Sequence, residues 1–387
     1  MTDYFLNLEP IHPKYLIEII QAQKLPKNGM IWEMYNQISP VDLYCYLYAK
    51  YGPPNGMQNF LRKDDSDNLI HWEWALSSDD GLILLQGHNF RSEVHLMGDF
   101  RNNGLNLDQL IAQFKSDFAR YGKKKKEVRL QLEKWTQFVN PYQRISSAVE
   151  EHFGKLLDLK LDPEADKVPQ PATYEELAAY GQRWKDIASK YDYAIGLAFG
   201  IRSMLPILAE SFVNIILFVL GKPEIKANTR LFQDTVRRPI DIRVQSLHIN
   251  CDHFSKPVDY KSDECKAFHS LMNERNDLLH GNVDPSKLAF DEVFFNGKVP
   301  VFTSYGSFWD KSIGVSVKSM RMDELETDYE TVKSFVGYLL GCLDTRVRKE
   351  MELMASKAHL GFNPSTGRLG ILFPEHMVDF RMSGKIA

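Results

Sequence analysis

The sequence has few cysteines and lacks the motifs of several common enzyme classes. Its four cysteines are scattered over 387 residues without a C-x-x-C pair. This pattern argues against a disulfide framework and a zinc site, and it indicates reduced thiols. The sequence contains no glycine-rich phosphate loop, no G-x-S-x-G and no H-E-x-x-H, so nucleotide hydrolysis and metalloprotease chemistry are disfavoured. We expect no metal and no cofactor.

Strong charge bias and a charge-free apolar run are also missing. The net charge is −4, so any contact with nucleic acid has to come from a local patch. The first residues lack a basic region followed by an apolar run, so we expect no signal peptide and a cytoplasmic protein. The most apolar stretch, residues 203–221, contains Pro206, Glu210 and Asn214. It is a poor membrane span and predicts the central helix of a helical core, so we expect no membrane partner.

The length of the chain and its hydrophobic content of 44% predict two domains with sizeable cores. Residues 1–140 predict a small α+β domain. Within it, a helix at 40–52 is stopped by glycine and proline, and three short strands follow between residues 68 and 98. Its aromatic residues are better explained as core than as a platform for a ligand.

The remaining chain predicts mostly helices. Residues 141–171 predict a connecting helix and a proline-rich linker. Residues 172–350 predict a helical bundle, with a β-hairpin at 288–304 around an Asn-Gly turn and a final long helix at 322–354. Residues 351–387 predict an extended tail. The fold class is therefore mainly α: a C-terminal helical bundle with a small hairpin insertion, preceded by a smaller α+β domain.

The stretch LMNERNDLLHGNVDP, residues 271–285, places an arginine, an asparagine and a histidine near the end of a predicted helix. Helical periodicity puts Arg275 on an otherwise apolar stripe, where it must reach water, a carboxylate or a phosphate. Glu210 is one candidate partner. A purely structural interpretation fits too: Gly281 caps the helix, His280 is a cation near its end, and Arg275 is a salt-bridged residue at the edge of the core.

Arg275, Asn276 and His280 form R-N-x-x-x-H, which resembles the R-x(4–6)-H motif of the HEPN superfamily. In that superfamily a polar residue, often asparagine, follows the arginine. Its members place the motif near the end of a helix in an all-helical bundle, between an earlier apolar helix and a later long helix. Residues 172–350 offer this order. The resemblance covers about half of the chain and does not extend to residues 1–140.

The resemblance implies a metal-independent endoribonuclease, in which the RNA 2′-OH attacks the adjacent phosphate and leaves 2′,3′-cyclic phosphate and 5′-OH ends. His280 would be the general acid and base, and Arg275 would stabilise charge on the phosphoryl oxygens. Asn276 would orient the histidine or hold a phosphate oxygen. The resemblance also implies a toxin or an anti-phage, abortive-infection effector. RNA and a phage-derived trigger or an antitoxin would then be its partners, and residues 1–140 would sense the trigger or restrain the nuclease.

Helix geometry adds an expectation about assembly. Five residues turn an ideal helix by about 500°, so Arg275 and His280 point about 140° apart. Either the helix unwinds before Gly281, or two copies of the motif meet, as in HEPN proteins that dimerise across a two-fold axis. We predict a homodimer with a composite active site.

Other signals leave alternatives open. The basic run at 120–129 is either a solvated face or a guide for an RNA backbone. Four further arginines are candidates for lining the same cleft: Arg230, Arg237, Arg238 and Arg243. A non-catalytic helical module that binds RNA, a nucleotide or a protein partner is the main alternative to the enzyme. A sensor whose N-terminal aromatic residues bind a small ligand is a more remote one.

Overall fold

The computed structural model describes residues 4–22, 28–61, 69–100, 104–283, 285–374 and 379. The helices in these residues are α1 (Pro13–Gln21), α2 (Pro40–Tyr51), α3 (Met57–Leu61), α4 (Leu107–Asp117), α5 (Gly122–Gln131), α6 (Pro141–Asp158), α7 (Leu177–Leu220), α8 (Pro223–Ala227), α9 (Thr229–Arg237), α10 (Ile240–Gln245), α11 (Leu247–Asn250), α12 (Asp263–His280), α13 (Pro285–Leu288), α14 (Ile313–Ser319), α15 (Leu325–Gly341) and α16 (Thr345–Ala355). The strands are β1 (Glu9–Pro10), β2 (Gly29–Met34), β3 (Trp72–Ser78), β4 (Gly81–Gly87), β5 (Ser92–Gly98), β6 (Thr136–Val139), β7 (Val293–Asn296), β8 (Val299–Phe302), β9 (His359–Asn363) and β10 (Arg368–Gly370). The prediction of a mainly α protein is confirmed.

The chain divides into two compact units. Unit 1 comprises residues 1–137 and 361–387, and unit 2 comprises residues 138–360. The helix predicted as a connector, α6, lies within unit 2, because Val149 is fully buried in the core that α7 builds. Residues 361–387, predicted as part of a tail, group with unit 1, where β9 and β10 form an antiparallel pair.

Unit 1 is built on an antiparallel five-stranded sheet with the order β1-β3-β4-β5-β2. The three predicted strands are confirmed as β3, β4 and β5, whereas β1 and β2 were not predicted. Trp74, Leu85 and Val94 face one another across the sheet and are buried. Tyr46 of α2 and Phe114 of α4 are buried in the same core. The aromatic residues therefore fill a core, as predicted.

The other face of this sheet carries a buried polar row. Glu73 lies opposite Gln86, and Gln86 lies opposite Glu93. The amide of Gln86 donates to Glu73 at 2.5 Å, and Arg91 Nε donates to Glu93 at 2.7 Å. Burial raises the pKa of Glu93, but a hydrogen bond with His95, the charge of His88 and a hydrogen bond with Arg91 outweigh it and lower that pKa. Burial lowers the pKa of His88, and Glu93 offsets this only in part.

These shifts predict that acid destabilises unit 1. The folded-state pKa of His88 is below its ordinary value of 6.5. Its contribution to stability is therefore complete above that pH and is lost as the pH falls through it. Glu93 adds a further loss below its ordinary value of 4.5. We expect the melting temperature of wild type to drop between about pH 7.5 and 5, by about 2–4 °C for each kcal/mol lost.

Scanning calorimetry of His88→Gln across the same pH range tests this, because glutamine does not titrate there. The variant should lose less stability on acidification than wild type. The exposed His359 gives the matched control, and His359→Gln should keep the wild-type pH dependence. An unchanged slope in His88→Gln would contradict the assignment.

Unit 2 is organised around α7, a continuous helix of 44 residues that contains Pro206. The stretch at 203–221, predicted as a central helix, is therefore the second half of a longer helix that begins at Leu177. Proline normally kinks or breaks a helix. Here Leu205, Phe212 and Ile216 are buried, and α6, α12 and α15 pack along α7. Within the described residues, α7 is the helix long and apolar enough to cross a membrane, but 61% of its most apolar window is buried in the fold.

The end of unit 2 departs from the sequence prediction in one place. The final long helix predicted at 322–354 is two helices, α15 and α16. The chain turns between them, where the amide of Asp344 donates to the carbonyl of His253 at 2.9 Å. The predicted hairpin is confirmed as β7 and β8, with Gly297 at a φ of 64° in the turn. All eight strand residues of this hairpin are exposed.

Candidate functional site

The R-N-x-x-x-H motif lies on α12, which has well-formed caps at both ends. Ser262 Oγ accepts from the amide of Cys265 at 3.3 Å, which satisfies one free N–H of the first turn. Gly281 ends the helix in the left-handed region, and the amides of Gly281 and Asn282 both donate to the carbonyl of Asp277. The helix is thus unbroken through His280, so unwinding before Gly281 does not bring the motif residues together.

Packing of α12 decides which of its faces is available to a ligand. Cys265, Phe268, Leu271 and Met272 are buried against the core of unit 2. The ring of Phe268 stacks on that of Phe335 of α15, with centroids 4.1 Å apart. The polar stripe of α12 therefore faces outwards. It comprises His269, Asn273, Asn276 and His280.

Arg275 is half-buried and is oriented by its neighbour. Its Nη1 donates to Asn276 Oδ1 at 2.9 Å, while its buried Nε has no hydrogen-bond partner among the described residues. Arg275 makes no ion pair with any described residue. The partner suggested from the sequence, Glu210, forms an ion pair with Arg243 instead, and Asn214 accepts a second hydrogen bond from Arg243 at 2.6 Å. The charge of Arg275 is therefore available to an external anion.

His280 is exposed in the last turn of α12. Among the described residues, its side chain has no hydrogen-bond or ion-pair partner. Asn276, which was predicted to orient the histidine or hold a phosphate oxygen, is bound to Arg275 in this structure. One chain therefore brings Arg275 and Asn276 together and leaves His280 apart from them.

A cavity of about 570 Å³ opens beside Arg275. Neither Asn276 nor His280 lines it. Arg275 shares its wall with residues from α7, α12, α13 and α14 and from the segments after α12 and before α15: Arg202, Ser270, Leu271, Asn273, Glu274, Asp277, Leu278, Asn282, Leu288, Ser319, Met320 and Arg321. We did not predict Arg202, Glu274 or Arg321 from the sequence. The lone arginine in the apolar part of α7 was a usable signal for Arg202, since a buried charge needs partners.

Arg202 links three parts of the cavity wall. It is 8% exposed, its Nη2 lies 3.1 Å from Asp328 Oδ2, and the same nitrogen donates to the carbonyl of Arg321 at 3.1 Å. Its Nη1 lies 3.5 Å from Glu274 Oε2, which also accepts from Arg321 Nη1 at 2.8 Å. Burial raises the pKa of Asp328, although the charge of Arg202 opposes this rise. The network holds the cavity wall in place and occupies the charges of Arg202 and Arg321.

The other predicted features lie elsewhere. None of the four arginines proposed to line a cleft with the motif lines this cavity: Arg230, Arg237, Arg238 and Arg243. The basic run lies on α5, largely exposed, so its role as a guide for RNA stays a prediction. In the part of the chain that the structure describes, no group of histidine, cysteine and carboxylate side chains is arranged to hold a metal ion.

Comparisons with known proteins do not extend the resemblance. No protein-family model matches the chain, and neither the curated proteins nor the solved structures contain a match. The likeness to the HEPN superfamily therefore depends on the motif residues Arg275, Asn276 and His280 and on the order of the helices around them.

Proposed function

We propose that the protein is a cytoplasmic, metal-independent endoribonuclease of the HEPN type, acting as a toxin or an abortive-infection effector. The observation that carries the proposal is the state of Arg275. Its guanidinium is oriented by Asn276 and lies on the same helix as the exposed His280. Among the residues that the structure describes, neither side chain has an ion-pair partner. Among the described residues, this cation has no counterion and the imidazole has no partner, and such a pair of groups suits a phosphodiester better than it suits a folded core.

The chemistry needs only these groups and the RNA. His280 accepts the proton of the 2′-OH, and the 2′-oxygen attacks phosphorus. Arg275 stabilises the negative charge that grows on the phosphoryl oxygens, and Asn276 holds the guanidinium in position. The bond from phosphorus to the 5′-oxygen breaks, and His280 returns the proton to that oxygen. The products carry a 2′,3′-cyclic phosphate and a 5′-OH.

A second copy of the chain completes the site. Because α12 is unbroken, Arg275 and His280 of one chain point about 140° apart and cannot reach one phosphate together. A two-fold axis beside α12 would pair Arg275 of one copy with His280 of the other. Apolar side chains close to the motif in sequence support such an interface, since Leu279, Val283, Phe290 and Phe294 are all exposed.

The direct test incubates the protein with total cellular RNA in EDTA and maps the fragment ends. Wild type should cut and leave cyclic-phosphate ends, whereas His280→Ala and Arg275→Ala should not cut, because each removes a reacting group. His269 lies exposed on the same stripe of α12 and gives the matched control. His269→Ala should therefore cut like wild type.

If purified wild type leaves RNA intact, a trigger is needed, and the same variants are expressed in cells with and without phage challenge. Toxicity or protection that is equal in wild type, His280→Ala and Arg275→Ala would overturn the nuclease proposal. Cutting in EDTA by all the variants alike would overturn it too.

A non-catalytic binding module is the second candidate. It is favoured by the cavity beside Arg275, which one chain forms without His280. Binding of RNA or a nucleotide without any cleavage, in vitro or in cells, would select this alternative.

A further inference from the structure

We propose that the cavity beside Arg275 binds one unstacked guanine nucleotide of the RNA and so selects the position of the cut. This inference rests on the proposed ribonuclease function and names the substrate feature that it reads. The cavity has a volume of about 570 Å³, within the range of about 300–1,000 Å³ that small-molecule sites occupy. Sequence-specific proteins read single-stranded RNA by taking up unstacked bases in this way.

The cavity has apolar surface for the faces of a base. Leu271 and Leu278 of α12 contribute to one part of the wall, and Met320 and Leu288 contribute to others. Leu271 is buried in the core of unit 2, so this part of the wall is rigid. The methionine side chain is flexible and polarisable, and it makes favourable contacts with aromatic rings.

Three arginines line the cavity, and they differ in whether a carboxylate already pairs with their charge. Arg202 is paired with Asp328 and Glu274, and Arg321 is paired with Glu274 and Glu324. Within the described part of the chain, Arg275 has no such partner, and its Nη1 donates to the uncharged amide of Asn276. A phosphate group of the bound nucleotide would therefore go to Arg275.

Glu274 is placed to read the base, because it precedes Arg275 and lines the same cavity. Its Oε2 is occupied by Arg202 and Arg321, while Oε1 meets only the hydroxyl of Ser270, at 3.4 Å. An ionised carboxylate only accepts hydrogen bonds. Guanine presents two neighbouring donors, N1–H and the 2-amino group, on its Watson–Crick edge, and both can donate to the two lone pairs of Oε1. Adenine, cytosine and uracil each present a single donor group there, so Glu274 selects guanine.

The test is calorimetric titration of the intact protein, in EDTA, with the 3′-monophosphates of guanosine, adenosine, cytidine and uridine. Guanosine 3′-phosphate should bind at least about tenfold tighter than the other three, because base-specific contacts discriminate by about this factor or more. Glu274→Gln should abolish the preference, and Arg275→Ala should weaken all four ligands. Ser270 is exposed on the cavity wall, so Ser270→Phe should block binding by filling space.

Glu324 provides the matched control, because it also pairs with Arg321 but does not line the cavity. Glu324→Gln should keep the preference for guanosine. Equal affinity for all four nucleotides, no binding at millimolar concentration, or the same loss in Glu324→Gln as in Glu274→Gln would overturn the proposal. Failure is distinguishable from failure of the proposed function. RNA cleavage without guanine binding would refute this inference alone. Selective guanine binding without cleavage, both in vitro and in cells under phage challenge, would refute the nuclease and leave the guanine site.

Discussion

Mixing the Arg275→Ala and His280→Ala proteins is expected to restore RNA cleavage to about a quarter of the wild-type rate, because a two-fold dimer re-forms one complete site in about half of the pairs. Each variant alone is expected to lose activity by about 100-fold or more, since it lacks either the proton-transfer group or the charge stabiliser at both sites. In a mixed dimer, the intact Arg275 of one chain meets the intact His280 of the other. The second site of that dimer lacks both residues.

Subunit exchange is the step that makes this experiment decisive. The two variants, labelled with different fluorophores, are mixed until energy transfer shows that mixed pairs have formed, and RNA cleavage is then measured. A mixture of Arg275→Ala with the double variant Arg275→Ala/His280→Ala is the control and should stay inactive. Confirmed exchange without recovered cleavage would mean that each site lies within one chain.

The second large effect is on stability. Phe268→Ala is expected to lower the free energy of unfolding by about 3–5 kcal/mol, because a buried aromatic ring is replaced by a cavity. Phe268 is fully buried and stacks on Phe335, so it fixes α12 against the core beneath Arg275. Chemical denaturation followed by circular dichroism measures the change.

Leu157 of α6 is the control for Phe268, because it is an apolar helical residue of the same unit but is 73% exposed. Leu157→Ala should change the free energy of unfolding by no more than about 0.5 kcal/mol, as most surface substitutions do. Similar losses in the two variants would contradict the packing described for α12.

The sequence predicted the strands and turns that are determined by turn residues and by the periodicity of apolar residues. In β3, β4 and β5, apolar residues alternate with polar ones or form short runs between turns. The Asn-Gly turn identifies the hairpin of β7 and β8. β1 has only two residues, so no periodicity exists to detect it. The continuity of α7 across Pro206 depends on packing against other helices, which no local pattern records.

The same distinction between local sequence signals and tertiary packing applies to the candidate site. Arg275, Asn276 and His280 are close in sequence, so a motif and a helical period were enough to single them out. The cavity wall is different, because Arg202 comes from α7 and Arg321 from the segment before α15. The ion pair of Glu210 with Arg243, which replaces the candidate pairing of Glu210 with Arg275, also joins distant segments. Such contacts follow from tertiary packing alone.

The small sheet of β7 and β8 has one consequence for how the protein behaves at high concentration. Among the described strands it is a two-stranded sheet, so both outer edges carry unpaired backbone groups, and its exposed side chains include Phe294, Phe295 and Phe302. Such edges are templates for aggregation. Pro300 lies within β8, and proline cannot donate a backbone hydrogen bond to an added strand. A strand from another copy can therefore pair with the outer edge of β7 but not with that of β8. Two copies paired through β7 have no further edge to extend, so a closed pair of hairpins is favoured over a fibre.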